Sequence, residues 1–253
     1  MSKTEKDQQE MIYGVHPLLE AVDAGKDIEK VLVQKGLKTD MFKELMSKLK
    51  EYMVPVQFVP REKLNRLSRK NHQGIISFVS PVAFYKIEDV LPTVYEKGED
   101  PFFLILDRLT DVRNFGAVLR SAEAAGVHAV LIPSRNTAQL NSATVKSSAG
   151  AIYKIPICRS GNLKESINYL KGCGLKIAAA TEKTENNIFN TDLTGPLAII
   201  MGSEGEGVSG EYLKRADIHF AIPMLGEIGS LNVSVATGIS LFEAVRQKML
   251  YKG

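Results

Sequence analysis

Tryptophan is absent from this sequence, cysteine occurs twice and histidine four times. Two cysteines, Cys158 and Cys173, cannot staple a small secreted fold, and neither sits in a metal-binding or redox spacing. They are expected to be reduced, buried thiols in a cytoplasmic protein. His16, His72, His128 and His219 are scattered and form no zinc signature, so no metal is expected. No apolar run approaches the ~20 residues of a membrane helix, so no membrane partner is expected. Residues 1–10 are polar and charged, without the apolar stretch of a secretory signal. The net charge is only +3, too small by itself to announce nucleic acid. The remainder is ordinary for a globular protein, 44% hydrophobic and 24% charged over 253 residues, enough chain for one large or two small domains.

Hydrophobic patterning divides the chain. Short β-branched and aromatic runs at 30–34, 54–60 and 74–80 predict strands. Met41, Phe42, Leu45, Met46 and Leu49 recur at helical spacing and predict a helix over 40–52. Pro17 fits the start of a short helix over 18–22. Residues 82–100 are weakly patterned, contain Pro92 and Gly98, and are expected to be a linker with a helical turn or two. Beyond it, apolar runs at 102–106, 129–132, 175–180, 197–201 and 218–222 alternate with helical segments at 117–125 and 233–249. Strands apolar on both faces imply a mostly parallel sheet covered on both sides. The expected class is α/β: a small N-terminal α/β domain (1–81), a linker (82–100) and a parallel-sheet domain (101–253).

Three clusters stand apart from this scaffold. Residues 107–120 pass from a strand end into a helix, where Asn114 can act as a cap and Gly116 permits close backbone approach. Arg120 lies about a turn and a half into that helix, with Arg113 near its start. A capped helix with solvated arginines is the plain alternative. Residues 201–210, MGSEGEGVSG, formally satisfy G-x-G-x-x-G through Gly205, Gly207 and Gly210. A dinucleotide fits poorly, because Glu204 and Glu206 would face its pyrophosphate with like charge. The acidic residue expected about twenty positions later is also missing. Residues 222–234, IPMLGEIGSLNVS, make an irregular loop with free backbone groups, and Ser230, Asn232 and Ser234 stand where the last helix begins. A long loop with a simple Asn or Ser cap is the alternative there. Finally, Arg61, Lys63, Arg66, Arg69 and Lys70 surround a single acid, Glu62, either as a solvated helix face or as a phosphate-binding patch.

In this order and spacing the three clusters resemble the signature motifs of the SpoU/TrmH family of RNA 2′-O-methyltransferases. The strings DVRNFGAVLRSAEAAGV, GSEGEGVS and SLNVSVATG carry the resemblance, which spans residues 102–248. IYGVHPLLEAV and NHQGIISFV resemble the substrate-binding domain of the bacterial 23S rRNA guanosine methyltransferase branch of that family. The resemblance implies a parallel α/β domain whose carboxyl-terminal segment is threaded into a deep trefoil knot. It implies S-adenosylmethionine as cofactor, held largely by backbone at Gly202, Ile222 and Leu231, with Met224 and Ser230 beside them. It assigns the central catalytic role to Arg120, supported by Asn114, Glu204, Asn232 and Ser234, which would position the ribose; Glu204 could equally be a structural cap on neighbouring amides. It favours RNA as the partner of the basic cluster and of Arg113, and a homodimer with the active site at the subunit boundary. The implied substrate is a guanosine of 23S rRNA. A tRNA ribose, a non-catalytic RNA-binding role and, last, a dinucleotide oxidoreductase are the competing readings.

Overall fold

The computed structural model describes residues 10–251. The chain divides into two compact units: Met1–Ala83 with Gln139–Ser142, and Phe84–Ala138 with Ala143–Gly253.

The first unit contains β1 (Met11–Tyr13), α1 (Val15–Asp23), β2 (Ile28–Gln34), α2 (Asp40–Glu51), β3 (Val56–Val59), α3 (Arg61–Leu67) and β4 (Ile75–Val79). Its sheet runs β1-β4-β2-β3, antiparallel except where β2 meets β3. The apolar stripes of α1 and α2, including Leu18, Val22, Leu45 and Leu49, cover one face through Val31, Val33 and Ile75. The Thr39 hydroxyl caps α2 by accepting from the Phe42 amide at 3.2 Å. On the other face Leu32, Val59, Ile76 and Phe78 pack with Leu64 of α3. The sequence reading missed β1, whose three residues carry no periodicity, and gave α3 only as an alternative, since it buries only Leu64 amid charged neighbours.

The second unit opens with β5 (Phe84–Tyr85) and α4 (Ile87–Glu96). Residues 84–96, expected to be linker, are therefore built into this unit. Pro92 sits inside α4, a position that costs about 3 kcal/mol in an isolated helix. Burial of Ile87, Leu91 and Val94 in the unit's core, worth roughly 1.5–3 kcal/mol each, offsets it. Then follow β6 (Phe102–Leu106), α5 (Val112–Ala124), β7 (Ala129–Pro133), α6 (Ser142–Ser147), β8 (Ile157–Ser160), α7 (Leu163–Gly172), β9 (Lys176–Ala180), β10 (Leu197–Met201), α8 (Gly210–Leu213), β11 (Ile218–Phe220) and α9 (Val233–Tyr251).

The seven strands run in the order β11-β9-β10-β6-β7-β8-β5, and every pairing is parallel. Central β6 and β10 are buried at every position, as a sheet covered on both faces requires. The chain winds outward from β6 through β7 and β8, then crosses to the other side of β6 for β9 to β11. That reversal puts a topological switch between β6 and β10, where α/β sheets form ligand crevices at their carboxyl ends.

Candidate active site

Because β9, β10 and β11 are parallel, the segments that follow them, beginning at Thr181, Gly202 and Ala221, emerge on one edge of the sheet. With residues 229–233 they enclose a cavity of about 890 Å³. Gly202, Ile222, Met224, Ser230 and Leu231, the five residues expected to contact a cofactor, all line it. Gly202 is glycine for a steric reason. A β-carbon there would overlap the Gly207 carbonyl carbon and the Val208 nitrogen, so the returning loop lies directly against its backbone. That loop is closed by reciprocal Ser203–Gly207 backbone hydrogen bonds of 3.2 and 3.0 Å, with Gly205 and Gly207 at positive φ of 89° and 67°.

One wall was not foreseen: Thr181, Glu182, Thr184, Glu185 and Asn187, which follow β9. Its only sequence signal was its place after an apolar strand, since carboxyl ends of parallel strands face the crevice. Among the described residues the lining includes three carboxylates, Glu182, Glu185 and Glu204, and no Lys, Arg or His.

Asn114, Glu204, Asn232 and Ser234 converge at one side of the cavity, although only Glu204 and Asn232 line it. The Glu204 carboxylate accepts from the side-chain amides of both Asn114 and Asn232, the latter at 3.1 Å. Asn232 Nδ2 also donates to Asn114 Oδ1 at 3.1 Å. Its Oδ1 accepts from the Ser234 amide at 2.9 Å and hydroxyl at 2.6 Å, so Asn232 also caps α9. Two expectations are corrected here. The cap of α5 is Asp111, whose carboxylate accepts from the Arg113 and Asn114 amides at 2.9 and 2.8 Å; Asn114 is thereby free to bind Glu204. Glu204 caps no backbone amide among the described residues and joins two side chains instead.

Arg120 is exposed on α5 and lies outside the cavity lining. It makes no hydrogen bond or ion pair among the described residues. Arg113, also exposed, stands two turns earlier on the same helical face. Gly116 lies between them, and a β-carbon there would come within 2.8 Å of the Ser147 carbonyl carbon and overlap its hydroxyl, so α5 is seated closely on α6.

In the first unit, Arg61, Lys63 and Arg66 stand on α3, with Arg69 and Lys70 just beyond; all five are exposed. Lys70 Nζ lies 5.2 Å over the Tyr13 ring, and Lys30 Nζ lies 4.8 Å over that of Phe78. Burial holds the Lys30 ammonium below the usual lysine range; Glu29 opposes this and Lys63 reinforces it.

No three His, Cys, Asp or Glu side chains among the described residues are placed to share a metal ion, and no described helix is long and apolar enough to cross a membrane. His72, His128 and His219 hydrogen-bond within the scaffold away from the cavity. Both cysteines are free. Burial pushes the Cys158 thiol up to about 12, an inert core position, whereas Cys173, expected to be buried, is only partly so.

The sequence profile of the SpoU rRNA Methylase family matches residues 101–242, and that for RNA 2′-O ribose methyltransferase substrate binding matches residues 11–85. The chain is 41% identical over 243 residues to the 23S rRNA (guanosine-2′-O-)-methyltransferase RlmB of Photorhabdus laumondii, spanning 94% of this chain and 98% of that protein. To its namesake from Escherichia coli K12 it is 40% identical over 241 residues, spanning 94% and 99%. The AdoMet-bound rRNA methyltransferase from Sinorhizobium meliloti superposes with a TM-score of 0.60 at 25% identity, covering 93% of this chain and 86% of that one. With both profiles matched in order and these relatives aligned nearly end to end, the chain belongs to the SpoU rRNA methylase family.

Proposed function

We propose that the protein transfers a methyl group from S-adenosylmethionine to a ribose 2′-hydroxyl of RNA, with a guanosine of 23S rRNA as substrate. The observation that carries this reading is the cavity of about 890 Å³ walled by glycine backbone, apolar and neutral polar side chains and carboxylates, without a cation among the described residues. A cavity of this size suits a nucleoside-sized ligand. Its negative lining favours a cationic sulfonium over a pyrophosphate. The dinucleotide reading is weakened further because the helix after the glycine loop, α8, has four residues and offers no extended N-terminus for phosphate.

S-adenosylmethionine, when bound, supplies an electrophilic methyl on a sulfonium. The chain's own residues do the rest. Backbone groups of Gly202, Ile222 and Leu231 hold the cofactor, flanked by Met224 and Ser230. Glu204 holds the amides of Asn114 and Asn232, and with Ser234 these orient the ribose. The Arg120 guanidinium, a donor with no acceptor site, stabilises charge developing on the 2′-oxygen and leaves the proton to a substrate phosphate.

Residues 1–81 bind the RNA. The profile match over 11–85 supports this, and the RlmB relatives, named for 23S rRNA, favour rRNA over the tRNA reading. Converting Arg61, Arg66 and Arg69 together to alanine should weaken RNA binding and flatten its salt dependence by up to ~3 counterion units, with cofactor affinity kept. Fluorescence titration across salt concentrations reads this out; an unchanged slope would return the cluster to a solvated face.

The enzyme acts in the cytoplasm as a homodimer, its second and third motif loops threaded as a trefoil knot. Support for pairing comes from α9, where Val235, Phe242 and Met249, seven residues apart, are 50, 49 and 72% exposed. Gly238 and Val245 fall between them, completing a heptad-like apolar seam. With the active site at the subunit boundary, Arg113 and Arg120 would meet RNA there.

The deciding experiment incubates the protein with labelled S-adenosylmethionine and separate 23S rRNA and tRNA, then maps the modified ribose, with NAD titrated calorimetrically alongside. Label on a 23S guanosine 2′-oxygen and silence with NAD are expected. Label on tRNA alone would transfer the assignment to tRNA, and NAD binding with no methyl transfer would overturn it.

A further inference from the structure

Asp107 and Arg108 play no part in the chemistry above, yet they tie the end of β6 to the loop that walls the cavity. The Asp107 amide donates to the Met201 carbonyl at 2.8 Å, so Asp107 sits beside the last residue before Gly202. Its carboxylate is 2% exposed and, as a buried charge must be, is fully engaged. One oxygen accepts from the Ser209 amide at 2.7 Å and from Arg108 Nη2 at 3.3 Å; the other accepts from Arg108 Nε at 3.0 Å. The same guanidinium donates to the Gly207 carbonyl at 3.3 Å and to the Glu206 carboxylate. Arg108 makes these bonds from a left-handed backbone, φ 57°, a conformation that costs a non-glycine residue about 1–2 kcal/mol. One arginine therefore holds the buried carboxylate behind it and both the carbonyl and the acid of a turn about a hundred residues later.

We propose that the Asp107–Arg108 pair is a positioning clamp for the cofactor, setting the height of residues 203–209 over Gly202. The proposal rests on the S-adenosylmethionine reading of the cavity and deepens it. Gly202 has no room for a β-carbon because Gly207 and Val208 lie on its backbone. Arg108 grips that same Gly207, so releasing the guanidinium frees the stretch of loop that forms the cavity wall. Glu204 is three residues earlier in the turn, and its grip on Asn114 and Asn232 anchors the other side independently. Loss of the clamp thus affects cofactor binding more than ribose orientation.

The test is isothermal titration of S-adenosylmethionine into wild type, Arg108→Ala and Arg108→Lys, with single-turnover methyl transfer at saturating cofactor and a melting curve for each. Arg108→Ala should weaken cofactor binding about tenfold, while the saturated rate stays within about threefold of wild type. Arg108→Lys should recover only part of the affinity, because one ammonium cannot span Asp107, Gly207 and Glu206 as the planar fork does. Glu206→Gln, which keeps an acceptor, should have a smaller effect, and none once Arg108 is alanine. Wild-type affinity in a folded Arg108→Ala would overturn the clamp. So would a lowered melting temperature and saturated rate with unchanged affinity. Wild type silent toward S-adenosylmethionine would remove the cofactor reading and the clamp with it, an outcome distinct from either.

Discussion

Arg120→Ala is expected to lower single-turnover methyl transfer about a hundredfold or more, the scale seen when one donor to a developing oxyanion is removed. The structure leaves this cation available, as it does Arg113 on the same helical face. Arg108 and Arg246 are tied to Asp107, Glu206 and Glu243, whereas Arg120 is exposed with no partner among the described residues. Cofactor affinity should hold, since Arg120 lies outside the cavity lining. Arg120→Lys should recover part of the rate by restoring charge without the planar fork. Rapid-quench measurement with labelled cofactor separates the outcomes. Wild-type single-turnover rates in Arg120→Ala would take this residue out of catalysis.

Gly202→Ala should produce the second large effect, through cofactor binding. The added methyl would collide with Gly207 and Val208, which are backbone and cannot swing aside like a flexible side chain. The turn must lift or the end of β10 must bend, and overpacking of this kind costs about 1–3 kcal/mol. We expect S-adenosylmethionine affinity to fall between roughly tenfold and a hundredfold, since each ~1.4 kcal/mol is tenfold in the dissociation constant. The melting temperature should also fall, by roughly 2–10 °C for a chain of this size. Calorimetry and thermal melts together decide, and undiminished affinity would show that the loop accommodates the methyl and that Gly202 is not a cofactor contact. The two variants also test the dimer. If Arg120 of one subunit serves the cavity of the other, mixing Arg120→Ala and Gly202→Ala chains restores one working site per heterodimer. Verified heterodimers without activity would assign both functions to one subunit.

Much of the scaffold was legible because burial leaves a local signature. Strands covered on both faces read as unbroken apolar runs, so β6 and β10 begin and end at the expected residues. The amphipathic spacing of Phe42, Leu45 and Leu49 likewise marked α2. The five residues that glycines and motif strings single out as expected cofactor contacts all lie on one cavity. The helix over 87–96 was not legible, although Ile87, Leu91 and Val94 recur at helical spacing. Residues 84–96 looked like linker because Pro92 signals a break, and only packing of Ile87, Leu91 and Val94 makes a helix worthwhile there.

By itself, then, the sequence determined which segments are buried, where glycine is obligatory and which loops can meet a ligand, because these are properties of short stretches of chain. Tertiary structure decided which stretches meet. The order β11-β9-β10-β6 brings residues 181–187 to the cavity and sets β6 beside β10. It joins Asn114 to Glu204 and Asn232, and Arg108 to Glu206 and Gly207. Asp111 took the cap expected of Asn114 because helix geometry, two residues ahead of Arg113, brought its carboxylate to both amides. Periodicity reports how deeply a residue is buried but carries no record of its partner, and the chemistry proposed here depends on partners about ninety to a hundred and twenty residues apart.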